Sequence, residues 1–96
     1  MSSHNQHTIG EVIQQMMKHY RLDKKANEVR LQQEWADIVG APIARYTRKM
    51  WLNDGKLYLV LGNATLRQEL AYNSESLIKL VNDHLEAKVV QEIVLY

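Results

Sequence analysis

Cysteine is absent from this chain, so disulfides and thiolate metal sites are excluded, and the composition fits a reducing cytoplasm. No apolar run approaches the roughly 18 residues of a membrane span. The opening residues, Met-Ser-Ser-His-Asn-Gln-His, lack the apolar core of a signal peptide. A soluble cytoplasmic protein with no membrane partner is expected. Catalytic signatures are missing too. The chain has no nucleophile elbow, no Gly-x-x-x-x-Gly-Lys-Ser/Thr phosphate loop and no G-x-G-x-x-G fingerprint, and its carboxylates are scattered rather than paired. The expectation is a protein that is not an enzyme, hydrolyses no ATP and needs no cofactor. His4 and His7 are spaced as H-x-x-H, but stable zinc sites take three or four protein ligands, and His19 and His84 stand alone. No metal site is expected. Repeats, low-complexity tracts and long linkers are also lacking.

What is present is enough for one small domain. The chain has 96 residues, of which 46% are hydrophobic, so wholesale disorder is excluded and a second core has little room. Residues 1–7 read as a frayed tail and residues 8–96 as a single domain. Net charge is only +1, but it is unevenly spread. Residues 18–30 carry five basic groups against two acidic, and residues 45–56 carry four against one. Residues 57–96 carry three basic against five acidic. The two basic segments mark either a surface for an anionic ligand or ordinary solvated charge.

The chain is organised around residues 50–70. Asp54-Gly55 signals a type I′ hairpin turn, which needs positive φ at both central residues. That turn sets Leu52 opposite Leu57, Trp51 opposite Tyr58 and Met50 opposite Leu59. Met50, Leu52, Leu57, Leu59 and Leu61 then share one apolar face, while Trp51, Tyr58, Lys49 and Val60 share the other. Gly62-Asn63 breaks the strand, and Asn63 is a candidate cap for a helix carrying Leu66, Leu70, Leu77, Val81 and Leu85 on one stripe. Asn73-Ser74 marks a candidate kink or break within it. Upstream, Thr8-Ile-Gly-Glu11 has the capping-box pattern, and Ile9, Val12, Ile13, Met16, Met17 and Tyr20 predict an amphipathic core helix. Arg21-Leu22-Asp23 is read as a short connection to a second helix over residues 24–39, with Leu31, Trp35, Ile38 and Val39 inward. Gly40 ends that helix as a left-handed residue, Pro42 prevents its resumption, and residues 42–46 are a candidate further turn. Residues 89–96 form a β-branched third strand. The order is α-α-β-β-α-β: an α+β fold whose three-stranded sheet is packed by helices on one face, similar in outline to KH-type RNA-binding folds. The KH hallmark Gly-x-x-Gly loop is missing, because Gly62-Asn-Ala-Thr65 does not supply it, so a KH-style backbone clamp is not predicted.

Without a catalytic constellation, the candidate site is a binding surface. Arg45, Arg48 and Lys49 lie before or on the first strand, Lys56 follows the turn, and Trp51 and Tyr58 lie beside them. Cations for phosphates interleaved with aromatics for bases are the general means of holding single-stranded nucleic acid. Lys18, Arg21, Lys24 and Lys25, at the turn between the first two helices, would extend that surface. The competing expectations leave the aromatics half-buried, either beneath the long helix or in a weak homo-oligomer contact, and leave the lysines as solvated helix ends.

Four segments carry a family resemblance: Trp35-Ala-Asp-Ile-Val-Gly40, Pro42-Ile-Ala-Arg-Tyr-Thr47, Gly55-Lys-Leu-Tyr-Leu59 and Asn63-Ala-Thr-Leu-Arg-Gln-Glu-Leu70. In this order and spacing they resemble the DciA family, long catalogued as a domain of unknown function. The resemblance implies a bacterial, nucleoid-associated role in DNA replication. A DciA-like protein is a non-ATPase partner that helps load the DnaB-type replicative helicase and binds DNA, single- or double-stranded, through a KH-like domain. The alternative is a protein-interaction or self-association module with no nucleic-acid role.

Overall fold

A computed structural model describes residues 8–96. The expected tail, the His4–His7 pair, and the side chains at positions 17 and 19–22 lie outside the described residues. Between residues 11 and 39 the sequence has neither Gly nor Pro, and most positions are strong helix formers. They build one helix of 31 residues, α1 (Ile9–Val39), about 46 Å long. This corrects the expectation of two helices joined at Arg21-Leu22-Asp23. A lone Asp among good helix formers does not stop a helix when no Gly or Pro reinforces it. Thr8 caps the start, its Oγ1 accepting from the Glu11 N–H at 3.1 Å. Gly40 closes the helix with its N–H donating to the Ala36 carbonyl at 2.9 Å. Its φ of 92° is positive as expected, but its ψ of 160° is extended rather than left-handed helical, a conformation open essentially to glycine alone. That bend starts α2 (Ala41–Tyr46), with Pro42 in its first turn.

The chain then enters β1 (Thr47–Asn53) and folds back through Asp54 and Gly55 into β2 (Lys56–Leu61). Both turn residues have positive φ, 49° and 77°. Leu52 pairs with Leu57, Trp51 with Tyr58, Met50 with Leu59 and Lys49 with Val60, in the expected register. Asn63 caps α3 (Ala64–Tyr72), its Oδ1 accepting from the Leu66 N–H at 2.9 Å. The break at Asn73 is real. Asn73 closes α3 on the Glu69 carbonyl, and α4 (Ser74–Leu85) begins at the next residue. β3 (Glu92–Leu95) runs parallel to β2, so the sheet order is β1-β2-β3 with β2 in the centre. The strand is shorter than residues 89–96 because Asn82 holds its approach as a loop. The Asn82 Oδ1 accepts from the N–H groups of Val89 and Val90, and its Nδ2 donates to the Val90 carbonyl.

The core joins Leu31, Trp35 and Ile38 of α1 to Leu57, Leu59 and Leu61 of β2, closed by Leu70, Leu77, Val81, Leu85 and Val90. All the helical members meet one face of the sheet, which is the α+β arrangement expected. Trp35 is core, as read from sequence, and its Nε1 donates to Thr47 Oγ1 at 3.0 Å. α1 also covers the free edge of β1. Gln32 donates to the Met50 carbonyl and Glu28 accepts from the Leu52 N–H, both at 3.0 Å, which blunts the edge against further strand pairing.

The first turns of α1 do not behave as predicted. Ile9, Val12, Ile13 and Met16 are 80%, 45%, 50% and 66% exposed rather than core. Lys24 still reaches the hairpin tip, pairing with Asp54 at 3.0 Å. N-terminal to it the helix runs past the sheet, which gives the molecule a long axis of 61 Å against 20 Å across.

Candidate nucleic-acid interface

Alternation along each strand decides what the uncovered face displays. Lys49, Trp51 and Asn53 of β1 lie across from Val60, Tyr58 and Lys56 of β2. On the other side, Lys56 faces Glu92 and Tyr58 faces Val94 in β3. Tyr96 continues that parity, its backbone bonded to the carbonyl of Leu59 and the N–H of Leu61. The face is thus three short rows: Asn53–Lys56–Glu92 near the hairpin tip, Trp51–Tyr58–Val94 in the middle, and Lys49–Val60–Tyr96 at the far end. None of these nine residues belongs to the core or packs against it.

The rings are ordered on this face. Trp51 and Tyr58 stack with centroids 5.0 Å apart and planes 4° from parallel, and Tyr96 lies 6.3 Å from Trp51 at 15°. Both distances fall in the favourable offset-stacking range. Trp51 and Tyr58 are only partly buried, and among the described residues no helix packs on them. The expectation that they could lie beneath the long helix after the hairpin is therefore corrected: that segment, α3 and α4, packs through Leu70, Leu77, Val81 and Leu85 on the opposite face. Tyr96 is 55% exposed. It was not singled out from the sequence, although the alternation of the last strand, Ile93 and Leu95 inward, is the signal that places it outward.

The cations fall into two groups. Lys56 pairs with Glu92 at 3.7 Å, Lys24 with Asp54 at 3.0 Å and Lys25 with Glu28 at 2.8 Å. Arg45, at the end of α2, and Arg48 and Lys49, at the start of β1, are exposed and make no ion pair among the described residues. The Arg48 guanidinium lies directly over Gly62: a Cβ there would sit 2.7 Å from its Nε. A side chain at position 62 would displace this exposed guanidinium. Lys18 is exposed on the overhanging part of α1. The turn expected to gather Lys18, Arg21, Lys24 and Lys25 does not exist; these positions lie on one continuous helix.

Residues 8–95 match the family model described as Dna[CI] antecedent, DciA. The chain belongs to the DciA family. A search of curated proteins finds no match. DciA membership suggests a role beside the DnaB-type helicase in replication. The segments that carried the resemblance prove to be the junctions of the DciA fold. Trp35 to Gly40 is the end of α1, Pro42 to Thr47 is α2 and its exit, Gly55 to Leu59 is the hairpin return, and Asn63 to Leu70 opens α3. They specify how the DciA sheet is assembled rather than what its open face touches. Among the described residues of this DciA chain, no group of three or more His, Cys, Asp or Glu is placed to hold a metal ion, and no helix is long and apolar enough to cross a membrane.

Proposed function

We propose that this DciA-family chain is a non-ATPase accessory protein that binds the DnaB-type replicative helicase, holds nucleic acid, and so assists helicase loading during DNA replication. Family membership supports the helicase half. The nucleic-acid half is supported by one observation above others: the near-parallel rings of Trp51, Tyr58 and Tyr96 stand on the open face of an α+β sheet that is bordered by basic side chains. Aromatic faces stack on unpaired bases, each worth roughly 1–3 kcal/mol, and cations at the border take the phosphates. A duplex buries its base faces, so a single strand or an opened junction is the form this surface suits.

Two titrations test the proposal. Labelled protein added to the DnaB-type helicase of the same source should give saturable anisotropy in the micromolar range or tighter. Titration of a fluorescent oligothymidine should give binding that weakens with salt at a log–log slope of roughly −2 to −3, the value for about three or four neutralised phosphates on a single strand. A slope near zero would remove the nucleic-acid half, and no binding to an active helicase would reduce the family link to fold alone.

A further inference from the structure

The two ends of the open sheet face are not electrostatically equivalent. At the hairpin tip three lysines are already met by carboxylates: Lys24 by Asp54, Lys25 by Glu28 and Lys56 by Glu92. Bringing a phosphate there sets it against Asp54 and Glu92, whose charges offset those of the lysines. At the far end Arg45, Arg48 and Lys49 are exposed without an ion-pair partner among the described residues. The chain's own connections bring them together, since α2 runs straight into β1, and the Gly62 N–H donates to the Tyr46 carbonyl at 2.8 Å. Tyr96 belongs to this same end. Its backbone bonds to Leu59 and Leu61 put it in line with Val60 and Lys49, and its ring leans toward Trp51.

We propose that the anionic strand is held at the α2–β1 end of the face, with Arg45, Arg48 and Lys49 on phosphates and Tyr96 as a base-stacking residue, while the paired lysines Lys24, Lys25 and Lys56 take no part. This inference rests on the nucleic-acid role proposed above and divides six of the candidate cations into three users and three bystanders. Charge complementarity selects the occupant. A neutral apolar partner would gain from the rings but would strand three solvated cations at its border, whereas a single strand supplies a charge for each cation and a flat face for each ring.

The experiment is a fluorescence-anisotropy titration of a labelled oligothymidine at several salt concentrations. The Arg48→Gln/Lys49→Gln chain should bind at least tenfold more weakly, with the salt slope shallower by about 1.4, two phosphates' worth on a single strand. The Lys56→Gln/Glu92→Gln chain, which removes a neutralised pair, should stay within twofold and keep the slope. Tyr96→Ala should lose at least fivefold and Tyr96→Phe should restore it, because a phenyl ring still stacks. All substituted side chains are at the surface, and circular dichroism checks that each variant folds. Equal losses from the two double variants, or binding indifferent to Tyr96→Ala, overturn the assignment while leaving nucleic-acid binding intact. Failure of the unaltered chain to bind overturns both.

Discussion

One helix contains two environments. In the C-terminal half of α1, Leu31, Trp35 and Ile38 are 1%, 5% and 8% exposed and sit at the centre of the core. In the N-terminal half, Ile9, Val12, Ile13 and Met16 recur at the same three- and four-residue offsets, yet stand in solvent. Helical periodicity says which side of a helix is apolar. It does not say how far the neighbouring elements extend, and here the sheet ends at the hairpin tip, where Lys24 meets Asp54. Cutting back the two apolar stripes should therefore have very unequal consequences. Leu31→Ala should cost about 2–5 kcal/mol in urea denaturation, since it opens a cavity in a packed interior. Ile13→Ala should stay within about 0.5 kcal/mol, because it removes little buried area and Ala favours helix. A large loss from Ile13→Ala would mean that the overhang is covered in solution.

The backbone gives the second way to sharpen the contrast. Proline inside a helix costs about 3 kcal/mol or more, but only where the helix is coupled to the rest of the fold. Gln33→Pro, between Leu31 and Trp35, should unfold the domain or lower its melting temperature by many degrees. Lys18→Pro should break α1 locally and leave the cooperative melt of the sheet nearly unchanged. Amide hydrogen exchange on the unaltered chain should agree, with residues 11–16 exchanging far faster than residues 31–38, as expected for a helical segment without tertiary packing. Matching protection in the two halves would break the comparison.

The same contrast explains how much was legible in the sequence. The hairpin could be read to the residue because three independent signals coincide there. Asp54-Gly55 demands a type I′ turn, the leucines demand one face, and a shift of one residue would bury Lys56 and expose Leu57. Asn63, Asn73 and Gly40 were likewise read correctly as boundaries, because each of them acts locally. Arg21-Leu22-Asp23 was misread, since a lone Asp is only a weak stop and the strong helix formers around it prevail. Alternation along the last strand turns Tyr96 outward, but its row beside Val60 and Lys49 and the pairing of Lys56 with Glu92 depend on the parallel addition of β3 to β2, a contact between distant parts of the chain that no local pattern encodes. The candidate cations were therefore visible as a set, but not as a paired group and an unpaired one.

Between the core half and the overhang lies Glu28, where α1 first grips the edge of β1. Its carboxylate accepts from the Leu52 N–H at 3.0 Å and pairs with Lys25 at 2.8 Å. Glu28→Gln keeps the shape but removes the charge from that bond, and Glu28→Ala leaves the edge N–H to solvent. A loss of roughly 1 kcal/mol is expected for the alanine, with less for the glutamine, because hydrogen bonds to charged groups are among the stronger ones and this site is partly hydrated. Identical stability of all three chains would show that the edge contact adds nothing to the packing below it.

The smallest effect is on pH dependence, and its sign follows from the same helix. The Leu52 N–H, with Lys25 beside it, holds the Glu28 carboxyl below its ordinary value of 4.5. The hydrogen bond from His84, whose Nε2 lies 2.5 Å from the Glu34 carboxylate, and the nearby Arg30 lower Glu34 in the same direction. A carboxyl whose folded value is lowered stabilises the fold above its ordinary value and loses that contribution as pH falls through the lowered one. Both groups lie in the half of α1 that faces the domain, and both bonds tie α1 to another element. Stability in urea should therefore be flat near neutrality and decline as pH drops below 4.5. Glu28→Gln and Glu34→Gln should each make that decline shallower. A steepness unchanged in both would mean the acid response does not come from these contacts between α1 and the domain.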